Sequence, residues 1–153
     1  DCFDIFNFHL YKHCNKKRGF YKDYISGIEQ ISSLSIKKLW LTETGLTNKQ
    51  IEPKSCGGYN EMIQTHEIIR RLLINKHFGI EKTFIFCYDN RCKINGEKKC
   101  HEGYAKNEYF NSSYIRKLFQ DINNHDIVMI DYANFRLSNN KSVQILDNEI
   151  IYN

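Results

Sequence analysis

The sequence contains one proline among its 153 residues and no segment rich in glycine and serine. It therefore lacks the composition of a flexible linker between domains, and its length is that of about one domain. No internal repeat interrupts the chain. We expect one continuous packing unit, because 41% of the residues are hydrophobic and 14% are aromatic, which is enough apolar material for a core.

Long apolar runs and a large net charge are also missing. No run approaches the roughly 20 apolar residues of a membrane-spanning helix, and the N-terminus lacks the basic and then apolar stretches of a signal peptide. The formal charge of +4 is too small to imply a polyanionic partner. The densest basic run, residues 12–18, is equally explained as a solvated loop. We therefore predict neither a membrane nor a nucleic acid as partner.

Six cysteines are too few for a disulfide scaffold and more than an average cytosolic chain of this length carries. The compartment stays open, with the extracytoplasmic side slightly favoured. A hairpin loop over residues 95–97 would set Cys92 opposite Cys100, and we predict that they pair in an oxidising compartment. The alternative is two free thiols. Cys87 and His101 could join them around a metal, but the adjacent Cys100 and His101 cannot easily ligate one ion together, so no metal is predicted.

The chain alternates short apolar strands with segments of helical period. Such alternation is typical of parallel strands joined by right-handed crossovers, with helices covering the sheet. A complete (β/α)8 barrel needs about 250 residues, so the pattern fits either a small open sheet or part of a barrel. The predicted order is β-α-β-α-β-α and then two strands, over residues 2–11, 21–34, 38–44, 60–78, 82–89, 111–123, 127–137 and 143–152.

Hydrogen-bonding and ionisable side chains follow the first three strands at the point where each ends. They are residues 9–11, 42–45 and 88–90. Because ligands of parallel α/β folds bind at the carboxyl ends of the strands, these residues are predicted to share a site. A carboxylate directly after the apolar run 39–41 needs partners to offset its dehydration. Glu43 could also simply cap the next segment or pair with a loop lysine.

Residues 37–45, KKLWLTETG, resemble the seventh-strand signature of the retaining glycoside hydrolases of clan A. Residues 2–11, with His9 and Tyr11, resemble the preceding sixth strand, and residues 79–89 resemble the turn and strand that follow. The similarity covers roughly residues 1–123. It implies an α/β fold that is a partial (β/α)8 barrel of three βα units over residues 1–125, followed by a short β element over 126–153.

The resemblance also implies roles for individual residues. Glu43 would be the catalytic nucleophile, and Tyr11 would donate a hydrogen bond that keeps its carboxylate oriented and ionised. His9 would position Tyr11 or a sugar hydroxyl, or else be a histidine satisfied within the core. Tyr88 and Asp89 would contact the sugar, although Asp89 could equally cap a loop. No cofactor or metal is implied, and the expected partner is a carbohydrate substrate.

Two departures from the clan bear on activity. Many members carry a tryptophan near the end of the eighth strand, whereas this sequence has Phe86, Cys87 and Tyr88 there, so that sugar stacking would fall to Tyr88. Retaining hydrolysis also needs a second carboxyl group as general acid, which the clan places in an Asn-Glu pair upstream of the nucleophile. The Asn-Glu pairs of this chain all follow Glu43: Asn60-Glu61, Asn107-Glu108 and Asn148-Glu149.

The missing acid leads to two expectations. In the first, these residues are a fragment of a retaining glycosidase that hydrolyses O-glycosidic bonds by double displacement. The remainder of the barrel, N-terminal to Asp1, would supply the acid, and the isolated chain would be nearly inactive. In the second, the chain is a non-catalytic fragment or degenerate relative that binds a carbohydrate or a protein.

Overall fold

The computed structural model describes residues 4–10, 19–34, 38–45, 61–85, 93–94, 97–98, 108–146 and 149–153. Strands and helices alternate over the first half of the chain, and short strands dominate the second. The elements are β1 (Phe6–His9), α1 (Gly19–Ser32), β2 (Leu39–Thr44), α2 (Glu61–His77), β3 (Ile80–Ile85), β4 (Lys93–Ile94), β5 (Glu97–Lys98), α3 (Ser113–Asn124), β6 (Ile127–Met129), β7 (Asn134–Leu137), β8 (Ser142–Ile145) and β9 (Ile150–Tyr152).

The first three strands form a parallel sheet in the order β1-β2-β3. This confirms the order and orientation predicted from the alternating pattern. Phe8 of β1 and Leu41 of β2 are register partners and are buried in the core, which also contains Ile28 of α1 and Leu73 of α2. Apolar side chains of the strands and of both helices therefore meet in one interior, as expected for sequential βαβ units.

The opposite face of this sheet carries polar and aromatic side chains. Trp40 lies in register between Asn7 and Lys82. The Nζ of Lys82 is 4.2 Å from the centre of the Trp40 ring, and the indole Nε1 donates to Glu81 Oε2 at 3.3 Å. Phe84 is 48% exposed. Within the described residues, then, the parallel sheet is apolar on one face only.

Local signals set the ends of two helices. Gly79 follows α2 with a φ of 76°, the left-handed conformation that glycine adopts without strain. Ser112 is the N-cap of α3, and its side chain accepts a hydrogen bond from the backbone N–H of Ile115 at 3.3 Å. Both residue types are common at these positions, glycine just after a helix and serine at its N-cap.

The second half of the chain forms an antiparallel sheet in the order β6-β7-β8-β9. Its inner face contributes Phe135, Leu137, Val143 and Ile145 to the same core. Helix α3 is tied to this sheet, since the Tyr114 hydroxyl donates to the Ile150 carbonyl at 2.8 Å. Two sheets and three helices thus share a single apolar interior among the residues that the structure describes.

The predicted partial (β/α)8 barrel is therefore wrong. The molecule is a small α/β domain with a three-stranded parallel sheet and a four-stranded antiparallel sheet. Among the residues that the structure describes, β3 and α3 do not form a third βα unit, because α3 follows β3 only after the β4-β5 hairpin and is hydrogen-bonded to the antiparallel sheet. The predicted strand over 127–137 is also interrupted: Asp131 Oδ1 accepts from the backbone N–H groups of Ala133 and Asn134 and makes a turn there.

The hairpin predicted around residue 96 forms, but with a different register. Lys93 pairs with Lys98 and Ile94 with Glu97, so its loop has two residues rather than the predicted three. The expectation that set Cys92 opposite Cys100 assumed Ile94 opposite Lys98, and the observed pairing removes that argument. Both cysteines lie outside the described residues.

Candidate functional site

Glu43 and His9 meet at the carboxyl end of the parallel sheet. They are register partners on β2 and β1, and His9 Nδ1 is 2.9 Å from Glu43 Oε2. The side chain of His9 is 59% exposed and that of Glu43 is 27% exposed. Two of the residues singled out in the sequence thus form one solvent-accessible pair, at the edge where ligands of parallel α/β sheets bind. His9 is not a core histidine.

Irregular strand pairing sets the direction of the Glu43 side chain. The register shifts between Phe8 and His9 on β1, and between Leu41 and Thr44 where β2 pairs with β3. Thr44 is 1% exposed, whereas Glu43 beside it is accessible. Bulges of this kind re-aim side chains at sheet edges and next to functional sites. Here they allow Thr44 to be buried while Glu43 reaches solvent.

Hydrogen bonds hold the two strand ends together on both sides of Glu43. The Thr42 hydroxyl donates to the Phe8 carbonyl at 3.2 Å, and the Thr44 hydroxyl donates to the Leu10 carbonyl at 3.1 Å. The Leu10 N–H donates to the Glu43 carbonyl at 3.2 Å. Three successive residues around Glu43 are therefore hydrogen-bonded to β1 or to Leu10, the residue that follows it.

A buried arginine of α2 supports the same strand end from behind. Arg71 is 1% exposed, and its Nη1 donates to Thr44 Oγ1 at 2.7 Å and to the Gly45 carbonyl at 3.0 Å. Its guanidinium carbon lies 5.1 Å from the centre of the Tyr24 ring, close enough for a cation–π contact. The Tyr24 hydroxyl in turn donates to Asn75 Oδ1 at 2.8 Å.

Burial raises the pKa of the Tyr24 hydroxyl, an effect that the Arg71 charge and the hydrogen bond to Asn75 only partly oppose. Tyr24 therefore stays protonated at neutral pH and remains a donor. This network was not predicted from the sequence, although a signal for it exists. Gln64, Ile68, Arg71 and Asn75 recur at intervals of four, three and four, so the polar residues share a helical stripe with a buried isoleucine.

The remaining predicted site residues, Tyr11, Tyr88 and Asp89, lie outside the described residues. Over 6–9, 39–44 and 80–85, the parallel strands carry two carboxylates, Glu43 and Glu81. Glu81 is the second residue of β3 and lies toward the opposite end of the sheet from Glu43. The described part of the sheet therefore does not bring a second carboxyl group to the Glu43 end.

A second buried polar cluster joins α2 to the antiparallel sheet. His66 Nδ1 lies 3.2 Å from the Leu146 carbonyl, and its Nε2 lies 3.1 Å from the Tyr109 hydroxyl. Arg70 pairs with Glu67 and donates through Nη2 to the Ile145 carbonyl at 3.1 Å. These bonds satisfy carbonyls at the end of β8, so we interpret the cluster as structural.

A groove of about 620 Å³ lies between α2, β3 and α3, and Lys38, Ile80 and Phe119 are among its lining residues. It is at the amino end of the parallel strands and does not include Glu43 or His9. Lys76 on its border donates to the Asn123 carbonyl at 2.6 Å, and burial lowers the pKa of its ammonium group, partly opposed by Asp126. We place the candidate site at the other end, because that edge carries the accessible carboxylate.

The fold and the Glu43–His9 pair define a small α/β domain with an accessible carboxylate at the carboxyl end of its central parallel strand. No protein-family model, curated protein or solved structure matches the chain. Among the described residues, no helix is long and apolar enough to cross a membrane. The same residues contain no cluster of three or more side chains suited to hold a metal ion.

Proposed function

We propose that the protein is a retaining O-glycoside hydrolase in which Glu43 is the nucleophile and the general acid comes from outside this chain. The observation that carries the proposal is the contact of 2.9 Å between His9 Nδ1 and Glu43 Oε2 at the carboxyl end of the central strand. It gives an accessible carboxylate a fixed orientation. A nucleophile needs such orientation to attack in line.

The proposed reaction is a double displacement at the anomeric carbon. A carboxylate oxygen of Glu43 attacks that carbon, the bond to the leaving oxygen breaks, and the general acid protonates the departing alcohol. Water, deprotonated by the same acid residue in its basic form, then attacks the glycosyl-enzyme ester and releases the sugar with retained configuration. The acid would have to lie about 5–5.5 Å from Glu43.

His9 has a definite part in this scheme. When its Nδ1 carries a proton, it donates to Oε2 of Glu43 and orients the carboxylate for attack. Because the His9 side chain is 59% exposed, its other ring nitrogen can accept from or donate to a sugar hydroxyl. His9 therefore orients the carboxylate and contacts the substrate.

A specific observation also favours non-catalytic carbohydrate binding. In the described part of the parallel sheet no second carboxyl group reaches the Glu43 end, while the half-buried Trp40 and the exposed Phe84 lie on its open face with ring centroids 6.5 Å apart. Aromatic rings beside polar groups are a common way to hold an amphipathic ligand. Binding of an oligosaccharide without turnover would favour this second function.

The direct experiment is covalent labelling of the full-length protein with fluorinated glycosyl fluorides of glucose, galactose, mannose and xylose. These probes trap the glycosyl-enzyme ester of a retaining enzyme. We expect the label on Glu43, and we expect Glu43→Gln to lower turnover by orders of magnitude because the nearly isosteric amide cannot form the ester.

Glu81→Gln is the matched control, since it neutralises a glutamate of the same sheet at the opposite end. It should keep wild-type turnover. Label on another residue, or full activity in the Glu43→Gln variant, would exclude Glu43 as nucleophile.

A further inference from the structure

Thr44 and Arg71 form a buried link between α2 and the strand end that carries Glu43. We propose that both are positioning residues, which hold Glu43 in the orientation that nucleophilic attack requires. The inference rests on the proposed function of Glu43. Neither side chain is placed to touch a substrate, because both are 1% exposed and Thr44 is directed into the interior.

The Thr44 hydroxyl, at the end of β2, links this strand to the residue that follows β1 and to Arg71 of α2. It donates its single proton to the Leu10 carbonyl and accepts from Arg71 Nη1. Leu10 directly follows His9, and Thr44 directly follows Glu43. One hydroxyl group therefore fixes the distance between the two backbone segments that carry the Glu43–His9 pair.

Arg71 completes the link because one nitrogen donates to two acceptors of the same strand end, Thr44 Oγ1 and the Gly45 carbonyl. Its planar guanidinium lies against Tyr24, so its position is fixed by packing as well as by hydrogen bonds. A lysine ammonium would lose this planar geometry. Burying a cation is unfavourable unless it has hydrogen-bonding partners. The partners of the Arg71 guanidinium are Thr44 and Gly45, the two residues that follow Glu43.

Functional geometry has to be held within about 0.5 Å by supporting residues, and a displacement near 1 Å can cost about 100-fold in rate. Thr44→Val keeps the shape of the side chain and removes both hydrogen bonds. Thr44→Ser keeps the hydroxyl and removes only a methyl group. The pair therefore separates the hydrogen-bonded link from side-chain volume.

The test uses the full-length protein with an aryl glycoside substrate and with the fluorosugar that labels Glu43. We expect Thr44→Val to lower kcat and the rate constant of labelling by about 10- to 100-fold with KM nearly unchanged, because Thr44 does not touch the sugar. Thr44→Ser should restore both. Rates are divided by the number of sites that finally become labelled, so a loss of folded protein alone would not change them.

A second measurement does not depend on activity. The ¹⁵N chemical shifts of the His9 imidazole report which ring nitrogen holds the proton, and donation to Glu43 Oε2 requires that proton on Nδ1. Thr44→Val should shift His9 toward the other tautomer, and Thr44→Ser should not. Arg71→Lys is the second variant in case the valine substitution prevents folding, and we expect it to change the same readouts in the same direction.

The outcomes are distinguishable. Full activity in Glu43→Gln would overturn the proposed function, and the His9 tautomer would then decide by itself whether Thr44 and Arg71 position Glu43. The positioning role alone would be overturned by a different set of results. In that case Glu43→Gln is inactive, while Thr44→Val and Arg71→Lys keep wild-type rates and the wild-type His9 tautomer.

Discussion

Asp121 shows how a single side chain can couple two elements that are distant in sequence. On α3 its Oδ2 accepts from Lys141 Nζ at 3.2 Å and from the hydroxyl of Tyr152 on β9. The hydrogen bond from Tyr152, followed by that from Lys141, lowers the pKa of the Asp121 carboxyl below its usual value. The folded state therefore stabilises the ionised form of the Asp121 carboxyl group.

This lowered pKa predicts an acid-dependent contribution to stability. Because the folded pKa lies below the unfolded value of about 4, the contribution is present above pH 4 and is lost as the pH falls through the folded pKa. Asp121→Asn should therefore flatten the decline of the unfolding free energy below about pH 5, measured by urea denaturation across the acid range. Asp23→Asn, which changes an exposed carboxylate of α1, is the control. Equal slopes for wild type and Asp121→Asn would contradict the coupling.

Helices α2 and α3 differ in whether local or distant residues satisfy their polar groups. The amino end of α3 is set locally, since Ser112 supplies the acceptor for the Ile115 N–H. Helix α2 is set by its surroundings, because its polar residues His66, Arg70 and Arg71 are buried and bonded to strand ends elsewhere in the chain. A surface helix would not tolerate that pattern without such partners.

The cap of α3 gives a prediction at this scale. Ser112→Ala should lower the unfolding free energy by about 1 kcal/mol, because a backbone N–H of the first turn loses its acceptor. Ser113→Ala changes the neighbouring exposed serine and should stay within about 0.5 kcal/mol of wild type. Chemical denaturation of the three proteins measures both differences. An equal loss in the two variants would show that the cap bond is not the cause.

At the scale of the whole molecule, α2 lies between the two sheets. Its residue Leu73 is fully buried in a core that contains Leu41 of the parallel sheet and Phe135 of the antiparallel sheet. Hydrogen bonds also connect α2 to both sheets, since Arg71 donates to the end of β2 and Arg70 donates to the end of β8. The two sheets should therefore unfold together.

Leu73→Ala tests this shared core. The cavity should lower the unfolding free energy by about 2–5 kcal/mol, and Leu72→Ala, at a half-buried neighbour, should cost less. Fluorescence of Trp40, the single tryptophan, reports on the parallel sheet, and amide exchange at Phe135 and Val143 reports on the antiparallel one. The unfolding free energies measured by the two probes should fall by the same amount. A shift confined to one sheet would mean that the sheets unfold independently.

The sequence by itself determined the features that depend on neighbouring residues. Apolar alternation predicted the three parallel strands, and helical spacing predicted α1 and α2. It also placed Glu43 and His9 at strand ends that meet, because carboxyl ends of parallel strands share an edge. These inferences succeed since periodicity and conformational preference are encoded locally.

Only the tertiary structure decided how the second half of the chain is organised and what supports the site. The apolar pattern of a strand does not identify the strand with which it pairs. The sequence therefore could not show that the last strands form a four-stranded sheet that shares the core, or that α3 packs with that sheet. Arg71 bonds Thr44 across 27 positions, and Thr44 bonds Leu10 across 34. The burial of a charged side chain depends on partners that only the folded chain brings within reach.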